Sequence, residues 1–398
     1  MKQVNNRNLI FTKELQTVFD TIHSAKGECR LVGGCVRDHL LGKTPKDFDI
    51  ATDILPEEIF EEFKNKKHKT VPVGIEHGTV LVVINQESFE ITTLREDIKC
   101  FGRHADVKFT KNWEIDASRR DFTINGIYMD MSGVIYDYHN GISDLKNKIV
   151  KFIGDPESRI QEDYLRILRY FRFLSYFGTD NIDQQSYLAA IKNASKLVHI
   201  SKERIKCEIF KLFTGEYFKD VILLLIKLNL LKYFGIISLS LSENKLQNIN
   251  FQRDNIINLA IFIILSDSPN LECLNKLKKD ILLSKKEFIM LKNIINYDYE
   301  NITYQDFYQH YHDCGEESYK KFLLLHKIIK NDDDIKIIKE SICKKFPVKG
   351  NDLKNIGYEG RDIGIMLKKA KSEWHQKHNS LNKEDILKNI PPVSRNNL

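Results

Sequence analysis

The sequence predicts an α+β head, a mixed sheet with helices, followed by an all-helical remainder. Three observations carry that expectation. Short apolar runs with period-two alternation are confined to roughly the first 153 residues. From Glu157 onward, segments with helical periodicity dominate to the end. At 398 residues and 42% hydrophobic content, the chain is long enough for two or more globular modules.

The first strand is read over Leu31 to Gly33, and a helical run, Cys35 to Leu41, follows the Gly33-Gly34 turn and stops at Gly42. Glycines let a backbone approach a ligand closely, and a helix start points free N–H groups and a positive dipole end at phosphate. Arg37 and Asp38 then fall in the first helical turn. The next strand runs Phe48 to Thr52, so Asp47 and Asp49, spaced i, i+2, project from one face. Paired carboxylates of this kind hold the divalent ions of phosphoryl and nucleotidyl transfer. The plain alternative is a surface Asp-Phe-Asp on an ordinary strand, and the Gly-Gly turn ahead of it favours the catalytic reading.

A helix is expected over Glu57 to Lys64, then strands Thr79 to Ile84 and Phe89 to Leu94 joined by a hairpin at Asn85 and Gln86, with Glu90 and Thr92 on one face. Arg95 to His104, polar and broken by Gly102, reads as a mobile loop. In SRRDFTINGIYMD, Arg119, Arg120 and Asp121 precede an expected helical run. Arg120, Asp121 and Asn125 suit a nucleotide, because Arg donates to phosphate and Asp accepts from a ribose hydroxyl. A last strand is read over Val134 to Tyr138.

The helical part opens with EDYLRILRYFRF, where Asp163, Arg166, Arg169 and Arg172 would form a slowly drifting stripe on one helix. A carboxylate beside a guanidinium can imitate a base edge. Asp163 would accept from cytosine N4 or adenine N6, and Arg166 would donate to cytosine N3 and O2 or to adenine N1. Uracil and guanine reverse that pattern, and unpaired buried polar groups are costly, so the pair can reject them without a nucleic-acid template. The competing reading is an intrahelical Asp–Arg pair in solvent. Ile200 to Phe213 reads as an amphipathic helix capped by Ser201, with Arg204 and Glu208 on one face. Lys192, Lys196, Lys202 and Lys206 lie on helical segments where contact with an RNA backbone competes with simple solvation.

Net charge of +6 supports an anionic partner. Seven scattered cysteines, without a CxxC pair or zinc spacing, point to reduced thiols and a cytoplasmic protein. The N-terminal stretch has no signal-peptide pattern, and the most apolar run, Val221 to Leu231, is interrupted by Lys227 and Asn229, so no membrane span is expected.

GGCVRDHLLG followed by DFDIAT resembles the first signature of the class II tRNA nucleotidyltransferases (CCA-adding enzymes) and of their relatives, the bacterial poly(A) polymerases. Both are DNA polymerase beta-like nucleotidyltransferases. RRDFTING is similar to the second motif, with Gly126 in place of the usual alanine, EDxxR to the base-reading motif, and Ile200 to Phe213 to the fifth. Phe346 to Gly364, read as a glycine-punctuated insertion between helices, resembles a tail segment of the bacterial enzymes.

The resemblance implies a polymerase beta-like catalytic head at 1–153, a base-recognising neck at 154–215, and a tRNA-binding body and tail at 216–398. It implies template-independent addition of C and A from CTP and ATP to a tRNA 3′ end, with Mg2+ on Asp47, Asp49 and a third carboxylate, Glu90. The nucleotide would be held by Gly33, Gly34, Arg37, Arg120, Asp121, Asn125, Asp163 and Arg166, with Arg169 and Arg172 on the triphosphate. Arg204 and Glu208 would brace the base-reading helix, and the Arg95 to His104 loop would help the switch to the final A. No obligate protein partner is implied, and His312-Asp313, without further His and Asp ligands, does not signal a phosphohydrolase domain. The rivals are a poly(A) polymerase or A-adding-only enzyme and, from another class, a catalytically silent RNA-binding protein.

Overall fold

The computed structural model describes residues 11–45, 47–101, 104–235, 246, 249, 252, 254–266, 271–299, 302, 304–330, 346–377 and 381–391. It divides into two compact units, Met1–Ile237 with Asp280–Leu282, and Ser238–Lys279 with Leu283–Leu398.

In the first unit, α1 (Lys13–Ser24) starts at Thr12, whose side chain accepts from the Leu15 N–H. Then come β1 (Cys29–Val32), α2 (Gly34–Leu40), β2 (Phe48–Thr52), α3 (Pro56–Asn65), β3 (Lys69–Gly74), β4 (Thr79–Ile84) and β5 (Glu87–Thr93). The head continues with β6 (Arg95–Phe101), β7 (His104–Phe109), α4 (Trp113–Ser118), β8 (Ile127–Met129), β9 (Ile135–Asp137) and α5 (Gly141–Lys146). Seven strands form one mixed sheet in the order β3-β4-β5-β2-β1-β8-β9, in which β2 and β5 run parallel and the other neighbours antiparallel.

Strand parity sorts the two faces. Ile50, Ile91, Phe89, Leu31 and Val80 face a core closed by Phe19 and Ile22 of α1 and Ile59 and Phe63 of α3. The opposite face carries Val32, Ala51, Leu94 and Tyr128, packed with Ala117 and Trp113 of α4. Asp49, one residue from Ile50 and two from Ala51, belongs to that second face.

Several expectations change here. Arg95–Phe101 and His104 are strand, since β6 pairs with β7 from Arg95 opposite Phe109 to Phe101 opposite His104; Gly102 and Arg103 lie outside the described residues. This two-stranded ribbon, separate from the main sheet, buries none of its described side chains fully, so its polar sequence looks like a loop. The expected helical run after Asp121 is a single 3-10 turn, Thr123–Asn125, followed by β8, buried on both sides and therefore lacking period-two contrast. Edge strand β3, with no buried residue, gave no signal.

The helices that complete this unit are α6 (Pro156–Glu162), α7 (Leu165–Phe177), α8 (Gln184–Asn193), α9 (Lys202–Leu212) and α10 (Phe218–Lys227). The α7 helix packs on α9 and α10. A Cβ on Gly215 would sit 2.2 Å from Ser175 Oγ and 2.4 Å from its carbonyl oxygen, so glycine is what lets the turn after α9 lie against α7.

Helices also make up the second unit among its described residues. Asn255–Leu265 is buried over most of its circumference, and Tyr304–Lys330 is kinked at Gly315, where φ is 79°. His312 lies in that kinked helix. Phe346 to Gly364 is not an irregular insertion: it contains the helix Gly350–Asn355 and the start of Gly360–Gln376, with Val348, Leu353 and Tyr358 in a core with Trp374 and Ile386. Gly350, Gly357 and Gly360 fall at or beside helix ends, Gly357 and Gly360 having φ of 96° and 53°, while Gly364 lies inside the second of these helices.

Candidate active site

The carboxylates come from adjacent strands. Asp49 stands opposite Glu90 in the parallel β2–β5 register, so the two share a face, and behind them Phe48 stacks on Phe89 with centroids 6.2 Å apart. Although solvent reaches Asp49, partial burial pushes its carboxyl above the ordinary range, Arg120 pulls it back, and Asp47 pushes it up again. Burial, then Asp49, then Asp47 raise Glu90 in the same way. The three carboxylates thus lie within one field. Among the described residues, no three His, Cys, Asp or Glu side chains converge tightly enough to grip an ion by themselves. Like charges held apart are the expected resting state of such a group. The donor set, oxygen only and chiefly Asp47 and Asp49, fits an ion that takes its remaining ligands from water and substrate phosphates.

Beside them, Gly33 caps α2 with φ 77° and ψ −127°, a conformation essentially reserved for glycine. A Cβ there would lie 3.7 Å from Arg120 Nη1, 3.8 Å from Asp49 Oδ2 and 3.9 Å from the Asn125 carbonyl oxygen. Those are ordinary contacts, so the backbone, not crowding, demands glycine. Arg37 is locked by Asp38, to which its Nε and Nη2 donate at 2.9 and 2.8 Å, and by Asn125 Oδ1, 2.7 Å from Nη1.

Two buried carboxylates organise the next arginines. Asp116, fully buried, accepts from Arg119 Nε at 2.8 Å, Arg120 Nη2 at 3.1 Å, Tyr128 OH at 2.7 Å and the Arg95 N–H at 3.2 Å. Burial alone would raise its carboxyl, yet Arg119 and Arg120 hold it well below the usual range. Asp121 accepts from Arg169 Nε at 2.6 Å, Asn125 Nδ2 at 3.0 Å and the Phe122 N–H at 2.8 Å. Burial works against its ionised form, but Arg169, Asn125 and Phe122 keep it ionised far below the usual range. With its oxygens so engaged, Asp121 orients Arg169.

The helical side differs from a single stripe. The helix breaks at Asp163, which is extended (φ −152°, ψ 106°) between α6 and α7, so only Arg166, Arg169 and Arg172 share a helix. Asp163 Oδ1 accepts from the Leu165 N–H at 3.1 Å, the local bonding by which a short carboxylate opens a helix, and Oδ2 pairs with Arg204 Nη2 at 2.7 Å. Arg166 Nη1 donates to Glu162 Oε2 at 2.6 Å and to the Arg159 carbonyl at 2.7 Å. Asp163 and Arg166 are therefore each held from behind by another residue, and they are not paired with each other. Glu208 takes Arg172 Nη1 at 2.8 Å and lies 4.0 Å from Arg169 Nη1. Of the two α9 residues that the resemblance offered as braces, Glu208 holds α7 through Arg172, and Arg204 holds Asp163 just ahead of it.

One cleft of about 490 Å³ is lined by every expected nucleotide-binding residue: Gly33, Gly34, Arg37, Arg120, Asp121, Asn125, Asp163, Arg166, Arg169 and Arg172. Asp49 lines it too, whereas Asp47 and Glu90 do not. Seven cationic side chains face four carboxylates there, so the cleft favours an anion. Arg172 Nε, buried in this wall, has no hydrogen-bond partner among the described residues. A smaller cavity of about 330 Å³ adjoins it through Arg37, Arg172 and Phe173. Sequence reasoning missed Asp116 and Asp97, and it gave no role of their own to Arg119 in the Arg-Arg-Asp run or to Glu162 in EDxxR. The spacing of Asp116, three and four residues before Arg119 and Arg120, was the available signal, because on a helix it places both guanidiniums over the carboxylate.

Comparison with known proteins places this geometry in context. Residues 29–151 match the poly A polymerase head domain and 181–235 a probable RNA and SrmB-binding site of polymerase A. The chain is 33% identical to the CCA tRNA nucleotidyltransferase 1, mitochondrial, of Danio rerio, over 96% of this chain and 91% of that protein. Against the CCA-adding enzyme of Oceanobacillus iheyensis identity is 43%, over 54% of this chain and 52% of the other. The solved Bacillus stearothermophilus CCA-adding enzyme in complex with CTP superposes with a TM-score of 0.71 at 25% identity, over 94% of this chain and 96% of that one.

Proposed function

The chain belongs to the family of CCA-adding tRNA nucleotidyltransferases, and from that membership we propose that it adds C and A from CTP and ATP to tRNA 3′ ends and releases pyrophosphate. The observation that carries the reading is the convergence of all ten expected nucleotide residues on a cationic cleft beside Asp49. A triphosphate would lie against Arg37, Arg120, Arg169 and Arg172, at the turn where Gly33 brings backbone close to Asp49. Asp163 and Arg166 would read the base. Each Asp163 oxygen keeps a second lone pair beyond its present bond, and the close bonds of Arg166 leave from Nη1, so its Nε stays available to a base. Asp47 and Asp49, with Glu90 beside them, would hold Mg2+, which when bound supplies charge neutralisation and lowers the pKa of the attacking hydroxyl. Within the chain, 1–153 would then be the catalytic head, 154–215 the base-reading neck and 216–398 the part that holds tRNA.

We also propose a cytoplasmic location, supported by the thiols of Cys29, Cys35, Cys207 and Cys314, none of which is joined in a disulfide, although the animal relatives carry mitochondrial names. No helix among the described residues is long and apolar enough to cross a membrane. The deciding experiment supplies tRNA lacking CCA, CA or only A with each nucleotide separately and reads product length. Stepwise completion with CTP then ATP is expected. Long tails from ATP alone would make it a poly(A) polymerase, addition of a single A only would make it an A-adding enzyme, and no incorporation at all would leave the silent RNA-binding protein.

A further inference from the structure

The cleft is built on a residue that does not line it. Asp116 is fully buried in the last turn of α4 and receives four hydrogen bonds, from Arg119 Nε, Arg120 Nη2, Tyr128 OH and the backbone N–H of Arg95. The first two of these partners, Arg119 and Arg120, both line the cleft. A third, Tyr128, is itself buried, lies 5.2 Å beneath the Arg120 guanidinium and accepts from Arg120 Nε at 3.1 Å. The fourth fastens the first residue of β6 to the same carboxylate.

We propose that Asp116 is the positioning residue of the phosphate-binding arginines: it fixes Arg119 and Arg120 in orientation, with Tyr128 as its second anchor, so that their remaining N–H groups point at the triphosphate. The physical reason lies in the two faces of a guanidinium. An arginine has five N–H donors in a rigid fork, and spending one edge on a buried carboxylate orients the rest. Without that anchor, a long side chain would have to lose its rotamer freedom when the ligand binds, which weakens binding. The carboxylate also offsets the mutual repulsion of two adjacent guanidiniums in a site with little solvent. Asp116 is thereby assigned to ligand grip and not to the reacting atoms.

This inference rests on the proposed triphosphate site, and the test separates the two. Wild type, Asp116→Asn and Tyr128→Phe are compared for CMP incorporation into tRNA lacking CCA, for KM and kcat with CTP, and for inhibition by tripolyphosphate, which has phosphates and no base. Asp116→Asn keeps the shape and loses the charge. It is expected to raise both the KM for CTP and the tripolyphosphate inhibition constant roughly tenfold or more, in line with the loss of charge-assisted hydrogen bonds, with kcat changing much less. Tyr128→Phe, which leaves both salt bridges, should raise them only a few-fold, and Asp116→Glu should recover part of the loss. A folded Asp116→Asn enzyme with wild-type KM and tripolyphosphate inhibition would overturn the proposal, as would a fall in kcat alone. If Asp116→Asn does not fold, Tyr128→Phe decides by the same two constants. Failure of the wild type to incorporate CMP would instead sink the functional reading on which the inference stands.

Discussion

Asp49 and Glu90 stand in different surroundings from the two arginine-bound carboxylates, Asp116 and Asp121. Asp116 and Asp121 are saturated by arginines, whereas Asp49 and Glu90 are pushed up by burial and by like charge. Carboxylates kept uncompensated are the ones with capacity for a cation. Asp47→Ala is therefore expected to abolish nucleotide incorporation while tRNA affinity, measured by filter binding, stays within about twofold; retained turnover would refute the assignment. The same shifts set a pH dependence. If the ionised carboxylates are the active form and their pKa values stand above the ordinary range of roughly 3.9–4.3, activity should begin to fall on acidification before that range is reached. A kcat/KM profile flat down to about pH 4 would count against it. Arg166→Ala should relax base choice, lowering the preference for CTP over UTP by at least about tenfold, because the donor that uracil cannot satisfy is gone. Unchanged rejection of UTP would exclude Arg166 from base reading.

Elements, more than single residues, show what could be read in advance and what could not. The strand Thr79–Ile84 was legible to the residue because one face is buried and the other half-exposed, which writes clean alternation into the sequence. The β6–β7 ribbon and β8 were not, the first because none of its described side chains is fully buried and the second because both its faces are buried. At the site, the cleft residues were legible because their types and spacing carry chemistry, yet the break at Asp163 was hidden. Glu-Asp-Tyr-Leu-Arg fits helical periodicity, and the tertiary pull of Arg204 on Asp163, 41 residues away, adds to the local bond from the Leu165 N–H in favouring the extended turn. With Asp163 in the proposed base-reading role, that pull would make α9 part of specificity. Arg204→Met should free the Asp163 carboxylate, weakening discrimination between CTP and UTP by about tenfold while leaving tripolyphosphate inhibition unchanged. Equal losses in both would assign Arg204 a general structural role, and loss of neither would remove it from the site.

At the scale of the whole molecule, the two units answer acid differently, and the second holds the more sensitive group. His310 is fully buried in the kinked helix, stacked 4.3 Å from Phe322, with Nε2 2.9 Å from Ser318 Oγ and Nδ1 3.2 Å from Tyr297 OH. Burial lowers its pKa to about 4, outweighing the opposing help of Ser318 and Asp313. An unfolded histidine titrates near 6.5, so between about 6.5 and 4 the unfolded chain binds the extra proton and stability falls as pH drops. The paired carboxylates of the first unit behave otherwise. Asp116 and Asp121 have depressed folded pKa values, so their stabilisation is complete above the ordinary carboxylate range of roughly 3.9 and is lost only as pH falls below it. Urea unfolding followed by hydrogen exchange should therefore show the helices around Tyr304–Lys330 weakening from about pH 6.5 downward, while the stabilisation that Asp116 and Asp121 give the head holds to about pH 4. His310→Gln, which keeps polar atoms in place but cannot take up a proton, should flatten the pH dependence of the second unit across that window. A slope that survives the substitution would show that another group, not His310, carries the acid sensitivity.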